Sequence, residues 1–144
     1  MTTALGIAAV SEATGLTRDT LRWYEREGLI PRVERGTDRR RRYDDAALRM
    51  IQLIVRLRRT GMPVAEIRRF LELCDEGAAS HGRRMTLLLE HRERVLAQLD
   101  QLHQDLGSID DKVEHYRDLI DRGLDCGNEP IADLSVLDRQ GDSQ

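Results

Sequence analysis

Three arginines at four-residue intervals give this sequence its clearest chemical signal. Arg18, Arg22 and Arg26 fall within Thr17–Gly28, a segment that has a polar start and a glycine at its end, as many helices do. Residues four apart share one face of a helix, so the three guanidinium groups would line one side. A basic stripe of this kind suits a polyanion, and we predict that the helix contacts nucleic acid.

A second short helix is predicted directly before the basic one. Ile7, Val10 and Ala13 have helical apolar spacing, which ends at Gly15. Leu21 lies between the arginines and can point into a core shared by both helices. This layout is that of a helix-turn-helix, in which the second helix enters the major groove of DNA.

A basic hairpin is predicted after Pro31, over residues 32–43. The segment 36–38 reads Gly-Thr-Asp, a turn sequence flanked by short extended arms, and residues 39–42 are four consecutive arginines. At least two of these arginines would reach the same side of a strand, where they could contact a phosphate backbone. The alternative is a solvated loop. The first interpretation predicts a wing beside the helix-turn-helix.

Two further helices are predicted between residues 44 and 74. Asp44 or Asp45 can cap the first of them, which Gly61 ends, and Pro63 fits the start of the second. Their core residues follow helical spacing: Leu48, Ile51, Ile54, Val55, Leu57, Val64, Ile67, Phe70 and Leu71. We therefore assign residues 1–74 to a winged helix-turn-helix DNA-binding domain and residues 75–80 to a linker.

One long helix is predicted over residues 81–122. Its apolar residues are separated alternately by three and four positions, and Arg92 is the only charged interruption: Met85, Leu88, Arg92, Val95, Leu99, Leu102, Leu106, Ile109, Val113, Tyr116 and Ile120. Such a helix would be roughly 60 Å long and would need a second helix to cover its apolar side. We predict a homodimer formed through this helix, with parallel and antiparallel pairing left open by the periodicity. Residues 123–144 are predicted to be a short C-terminal effector loop or tail.

The charge of the chain is unevenly distributed. The net charge of −3 combines 15 basic against 10 acidic residues in positions 1–73 with 8 against 16 in the rest. This distribution confines the predicted nucleic-acid contact to the first half. No membrane span or secretion signal is evident, so we expect a cytoplasmic protein with no membrane partner. Two cysteines are too few for a disulfide scaffold, and no catalytic motif is present, so we do not expect an enzyme.

The order of these elements resembles the MerR family of transcriptional regulators. The resemblance covers roughly residues 5–121 and is carried by these segments: 13–17 Ala-Thr-Gly-Leu-Thr, 20–25 Thr-Leu-Arg-Trp-Tyr-Glu, 28–30 Gly-Leu-Ile, Arg41 with Tyr43, 61–62 Gly-Met and 66–68 Glu-Ile-Arg. It implies a mainly α fold, in which a winged helix-turn-helix DNA-binding domain precedes a long antiparallel coiled-coil dimerisation helix. It also implies a homodimer on a two-fold operator in double-stranded promoter DNA, and therefore a bacterial protein associated with the nucleoid. An effector would make this dimer distort the spacer, so that RNA polymerase responds indirectly.

The resemblance also implies which residues contact DNA. Arg22 and Tyr24 match contacts from the recognition helix, while Arg35 and Arg41 match wing contacts to the backbone. The other predicted contacts are Thr17, Arg18 and Tyr43. For Trp23 two roles remain open: contact with DNA, and packing of the recognition helix against the wing. Asp19 stands where some members carry a base that meets DNA, so the half-site sequence is not predicted.

Three interpretations of the C-terminal half remain open. In antiparallel pairing, Cys126 of one subunit would approach His81 or Cys74 of the other and could hold zinc or a softer metal ion. Alternatively, a cysteine is modified by an oxidant or electrophile, although the neighbouring acidic residues disfavour a reactive thiolate. The segments around His91 and His115 resemble the branch of the family that answers aldehydes and organic stress.

The third interpretation is a regulator without an effector pocket of its own, because a tail of about 20 residues is too short to enclose a drug-sized ligand. A separate alternative is an architectural or partner-docking DNA-binding module with no effector of its own, in which the long helix binds another protein instead of a second copy. The histidines do not decide between the three, because we predict that His91, His103 and His115 are solvated rather than ligands.

Overall fold

The computed structural model describes residues 5–30, 34–35 and 41–143, with the two strands described by their backbone. The helices and strands in chain order are α1 Ile7–Thr14, α2 Arg18–Arg26, β1 Glu34–Arg35, β2 Arg41–Arg42, α3 Asp45–Arg59, α4 Val64–Asp75, a 3₁₀ turn Gly77–Ser80, α5 His81–Arg122 and α6 Leu134–Arg139. The prediction of a mainly helical fold with an N-terminal helix-turn-helix and a long C-terminal helix is confirmed. The chain divides into two compact units, Met1–Val95 and Leu96–Gln144, which are described separately.

Helix α2 has the boundaries that its sequence predicts. Thr17 is its N-cap, and the Thr17 side chain accepts a hydrogen bond of 3.1 Å from the Thr20 N–H. At the other end Gly28 adopts a φ of 70°, which L side chains rarely adopt, and the Leu29 N–H donates to the Tyr24 carbonyl at 2.8 Å. This is a Schellman ending, so α2 is defined at both ends by local sequence.

Helices α3 and α4 are joined by a turn of the same type. The Asp44 side chain caps α3 by accepting from the Ala47 N–H at 2.7 Å. Gly61 then has a φ of 99°, and the Met62 N–H donates to the Leu57 carbonyl at 2.9 Å. The predicted cap at Asp44 and the predicted stop at Gly61 are both confirmed.

The two short strands form an antiparallel ribbon. Glu34 pairs with Arg42, and Arg35 pairs with Arg41. The ribbon is anchored to the start of α1 by an isolated bridge in which Leu5 and Tyr43 exchange hydrogen bonds of 2.6 and 2.8 Å. The predicted Gly-Thr-Asp turn at residues 36–38, with Arg39 and Arg40, lies outside the described residues.

One hydrophobic core holds the first unit together. It is built from side chains of α1 to α4 and the segments between them: Val10, Leu21, Tyr24, Leu29, Ile30, Tyr43, Ile51, Ile54, Leu57, Met62 and Ile67. Leu88 of α5 packs against this core. The first turns of α5 are therefore part of the same unit as the helix-turn-helix.

The structure corrects the prediction for His91, which is buried rather than solvated. Only 4% of its surface is exposed, and its Nε2 lies 2.7 Å from the Thr60 hydroxyl at the end of α3. The reason is that this part of α5 packs against its own α3–α4 turn, which a heptad pattern does not reveal. His103 and His115 are exposed, as predicted.

The segment 75–80, predicted to be a linker, is mostly helical in the structure. Asp75 ends α4, and residues 77–80 form the 3₁₀ turn. Ser80 is fully buried, and its hydroxyl lies 2.8 Å from the Gly77 carbonyl. The path of the chain into α5 is thereby fixed by local hydrogen bonds.

The second unit contains a compact loop between α5 and α6. The Asp125 side chain accepts from the Gly127 and Glu129 N–H groups at 2.8 and 3.0 Å. Asp133 caps α6, and its hydrogen bonds from the Ser135 hydroxyl and N–H lower the pKa of this carboxyl below its ordinary value. Among the residues described, no helix is long and apolar enough to cross a membrane.

Removing the Asp44 side chain should destabilise the first unit through loss of the α3 cap. We expect the substitution Asp44→Ala to lower the free energy of unfolding by about 1 kcal/mol, because one orphan N–H loses its acceptor. Urea denaturation followed by circular dichroism measures this change. Asp45→Ala is the control, because it removes a neighbouring charge and leaves the cap in place; equal losses in the two variants would contradict the assignment.

Candidate nucleic-acid interface

Helix α2 turns its arginines outward and its apolar residues inward. Leu21 is fully buried and Tyr24 is 9% exposed, which fixes one side of the helix in the core. Arg18, Arg22 and Arg26 are exposed. The predicted basic stripe is therefore available to a partner on the outside of the first unit.

Arg22 already has an electrostatic partner on the same face. Its Nη1 lies 3.2 Å from the Asp19 Oδ1, one turn earlier in α2. Both side chains are solvent-exposed, so the pair contributes little to stability. Replacing it by a contact between Arg22 and DNA would therefore cost little free energy. The guanidinium thus remains free to make a bidentate contact with a guanine edge, the commonest specific contact in the major groove.

The hydroxyl and aromatic residues of α2 have different surroundings. The Thr17 side chain is exposed but occupied by capping, with its hydroxyl 2.8 Å from that of Thr20. Trp23 is 40% exposed, and its ring lies 5.5 Å from the Tyr24 ring. Trp23 therefore extends the exposed surface of α2, whereas Tyr24 belongs mainly to the core.

The ribbon places two of the predicted wing residues opposite each other. The backbones of Arg35 and Arg41 are directly paired across β1 and β2. Tyr43, at the end of the ribbon, is fully buried. Tyr43 belongs to the hydrophobic core of the first unit, and this burial disagrees with the prediction that Tyr43 contacts DNA.

Sequence reasoning missed a contact that holds the end of α2. Arg68 of α4 donates from Nε to the Glu27 carbonyl at 2.7 Å and from Nη2 to the Glu27 carboxylate at 2.8 Å. The two residues are 41 positions apart, so no periodicity or local motif connects them. In the sequence, Arg68 stands out only within the segment 66–68 that resembles the MerR family, and this resemblance predicts no role for it.

The candidate effector residues fall in different parts of the chain. Cys74 is half-buried near the end of α4, where Arg84 Nη1 lies 3.6 Å from its Sγ, and His81 is exposed at the start of α5. Cys126 is exposed in the loop of the second unit. In the part of the chain that the structure describes, no group of three or more His, Cys, Asp or Glu side chains could hold a metal ion.

Cys126 lines an open apolar groove within the second unit. The groove has a volume of about 570 Å³, and its walls come from the end of α5, the loop and α6, including Tyr116, Leu119, Ile131 and Val136. A volume of this order is within the range of small-molecule sites.

A short helix with an exposed basic face, preceded by a second helix and followed by a two-stranded ribbon, defines a winged helix-turn-helix DNA-binding protein. The chain matches the family model "MerR HTH family regulatory protein" over residues 5–74 and the model "MerR, DNA binding" over residues 48–111. It belongs to the MerR family and is a DNA-binding transcriptional regulator of that type.

Individual relatives agree with this assignment. An uncharacterised HTH-type transcriptional regulator of Haemophilus influenzae is 32% identical over 76% of this chain and 82% of its own length. The HTH-type transcriptional regulator AdhR of Bacillus subtilis is 35% identical over 64% of this chain and 66% of its own. Among solved structures, HiNmlR, a MerR family regulator lacking the sensor domain, bound to promoter DNA, has a TM-score of 0.75 and 30% identity over 83% of this chain and 95% of that one. These relatives are transcriptional regulators.

Replacing Arg22 by alanine should weaken sequence discrimination. We expect Arg22→Ala to weaken binding to the preferred DNA site by ~1–3 kcal/mol, the usual value of one bidentate base contact. Fluorescence anisotropy with preferred and scrambled duplexes measures the specific and non-specific affinities separately.

The control for this variant is Arg69→Ala, which removes an exposed arginine of α4 that pairs with Glu72 at 3.7 Å. It should lose only the non-specific electrostatic contribution. Unchanged discrimination in Arg22→Ala would rule out this arginine as a base-reading residue.

Proposed function

We propose that this regulator binds as a homodimer to a two-fold operator inside a promoter and distorts the promoter spacer in response to a stress signal. The observation that carries the proposal is an apolar stripe along α5 that the single chain leaves exposed. Three of its members, Leu102, Leu106 and Ile109, have 63%, 53% and 59% of their surface in contact with solvent.

The stripe is too long and too regular to be scattered surface residues. From Leu99 to Ile120 the apolar heptad positions are exposed, as is Met85 near the start of α5, whereas Leu88 and Val95 are half-buried. Leu89 and Leu96 are exposed beside the heptad positions and widen the stripe. A continuous apolar surface of this kind marks a protein interface. A heptad pattern is best covered by another helix of the same pattern, which a second copy supplies.

The distribution of charge along α5 favours antiparallel pairing. Residues 81–102 contain four arginines against three acidic residues, whereas residues 103–122 contain six acidic residues against three basic ones. Antiparallel pairing sets the basic half of one helix beside the acidic half of the other. Parallel pairing would set the two acidic halves side by side, which is unfavourable.

A two-fold dimer presents two copies of α2 to DNA. Symmetric recognition helices read an inverted repeat, with half-sites about one helical turn or a multiple of it apart. The likeness to a regulator bound to promoter DNA supports a promoter as the target. RNA polymerase would then respond to the altered geometry of the spacer rather than to contact with this protein.

The signal proposed here is an electrophile or oxidant that modifies Cys126. This thiol is exposed beside an apolar groove, whereas Cys74 is half-buried beneath Arg84. With an α,β-unsaturated aldehyde, the sulfur would bond to the β carbon, and the thiol proton would be transferred to the α carbon. The groove could hold the apolar part of such a molecule. A metal ion is the other candidate signal, and it would need ligands from both copies.

Disrupting the centre of the stripe should abolish both the dimer and its two-fold site preference. Selection of binding sites from a random duplex pool by the wild-type chain should enrich an inverted repeat. Leu102→Glu should be a monomer, because a charge at this position cannot be buried against a second helix. Light scattering after size exclusion measures the mass.

The matched control is Gln104→Glu, which adds the same charge to an exposed position of α5 outside the stripe. It should remain dimeric and select the same repeat. A wild-type chain that is monomeric at micromolar concentration, or that enriches no repeat, would contradict the proposed function and favour a partner-docking module.

Replacing Cys126 should abolish the response to the signal without affecting DNA binding. In a promoter reporter treated with acrolein, Cys126→Ser should lose at least ~90% of the change in expression, because the serine hydroxyl is not a comparable nucleophile. Cys74→Ser should respond like the wild type. A normal response in Cys126→Ser would refute the assignment, and stoichiometric zinc in the purified wild-type dimer would favour the metal interpretation.

A further inference from the structure

Two side chains of helix α4, two positions apart in the sequence, form ion pairs with two other helices. Arg68 contacts Glu27 at the end of α2, and Glu66 contacts Arg94 of α5 at 2.5 Å. All four residues lie within the first unit. A single rigid helix therefore connects the recognition helix to the start of the long helix.

The contact with α2 is a two-point clamp. Glu27 is the C-cap residue of α2, and its carbonyl is among the groups that a helix end leaves without an intrahelical partner. Arg68 satisfies that carbonyl from Nε and binds the carboxylate of the same residue from Nη2. A planar guanidinium fixes both distance and angle, which an ammonium group cannot do.

The contact with α5 is reinforced by a partly buried hydrogen bond beside it, between Thr60 and His91. The Thr60 hydroxyl donates to the Arg56 carbonyl at 2.7 Å, so its contact with His91 is best made with the Nε2–H donating to the Thr60 oxygen. The other ring nitrogen then accepts from Arg94, at 3.4 Å. Arg94 thus links α4 and the buried histidine of α5.

We propose that Arg68 is a positioning residue for DNA recognition. It holds the C-terminal end of α2 to α4, and Glu66 with Arg94 holds α4 to α5, so that α4 determines where the recognition helix is presented. Both ion pairs are between 32% and 44% exposed, so they contribute little to the free energy of unfolding. Their loss should be seen in site discrimination more than in stability. This inference rests on the proposed function.

The test compares two adjacent arginines of α4. Arg68→Met and Arg69→Met each remove one exposed charge, but among the residues that the structure describes Arg69 pairs with Glu72, one turn along α4, and not with α2. With the inverted repeat enriched by the wild type and a scrambled duplex as probes, Arg68→Met should lose about tenfold in specific affinity relative to Arg69→Met. The two variants should bind the scrambled duplex equally and have melting temperatures within about 2 °C of each other.

Two further variants test positioning directly. Arg68→Lys keeps the charge but can satisfy only one of the two acceptors, so its specific affinity should be intermediate. The double variant Arg68→Met with Glu66→Gln should lose less specific affinity than the sum of the two single losses, because breaking either ion pair already uncouples α2 from α5. Arg68→Met combined with Glu72→Gln should be additive.

The outcomes separate this inference from the proposed function. Equal specific affinities for Arg68→Met and Arg69→Met, with discrimination intact in the wild type, would overturn the positioning role and leave the proposed function standing. The positioning role would also be overturned if Arg68→Met and Arg68→Lys lost specific affinity equally and only in proportion to a lowered melting temperature. Failure of the wild type to discriminate any duplex would instead contradict the proposed function.

Discussion

The presentation of the recognition residues depends on how the nine-residue helix α2 is held in place. A helix as short as α2 is not stable in water by itself, because helix formation needs a costly nucleus and few residues repay it. Its position must therefore come from packing and from its ends. Leu21 anchors its middle in the core, Thr17 and Gly28 define its ends, and Arg68 holds its final turn from another helix. The outward direction of Arg22 is a consequence of these four constraints.

Much of this arrangement could be predicted from the sequence because it depends on local chemistry. Gly28 and Asp44 are a stop and a cap whose effects act within a few residues, so their roles were predicted correctly. The burial of His91 could not be predicted, because its heptad position faces a turn that is distant in sequence. The contact between Arg68 and Glu27 is likewise a product of tertiary packing. Local signals therefore defined the helices, and long-range contacts defined how they are held.

The long helix α5 contrasts with α2, whose position depends on contacts with other elements. Its 42 residues form a continuous helix, but beyond Val95 most of its apolar side chains are exposed to solvent. The first turns differ, since Leu88 and His91 pack against the first unit. Helix α5 thus packs against the core of the first unit at one end and leaves the apolar stripe exposed along the remainder. This division explains why the heptad pattern predicted the stripe correctly but missed the buried histidine.

In the proposed dimer, the rigidity of these connections matters more than the strength of any one contact. Joining two DNA-binding units makes the second half-site contact effectively intramolecular, and this advantage is lost when the geometry does not allow both contacts at once. Exposed arginine contacts with DNA are individually modest and sensitive to salt. Discrimination therefore depends on presenting two copies of α2 at a fixed separation. The clamp at Glu27 and the attachment of α4 to Arg94 limit the freedom that would otherwise reduce this advantage.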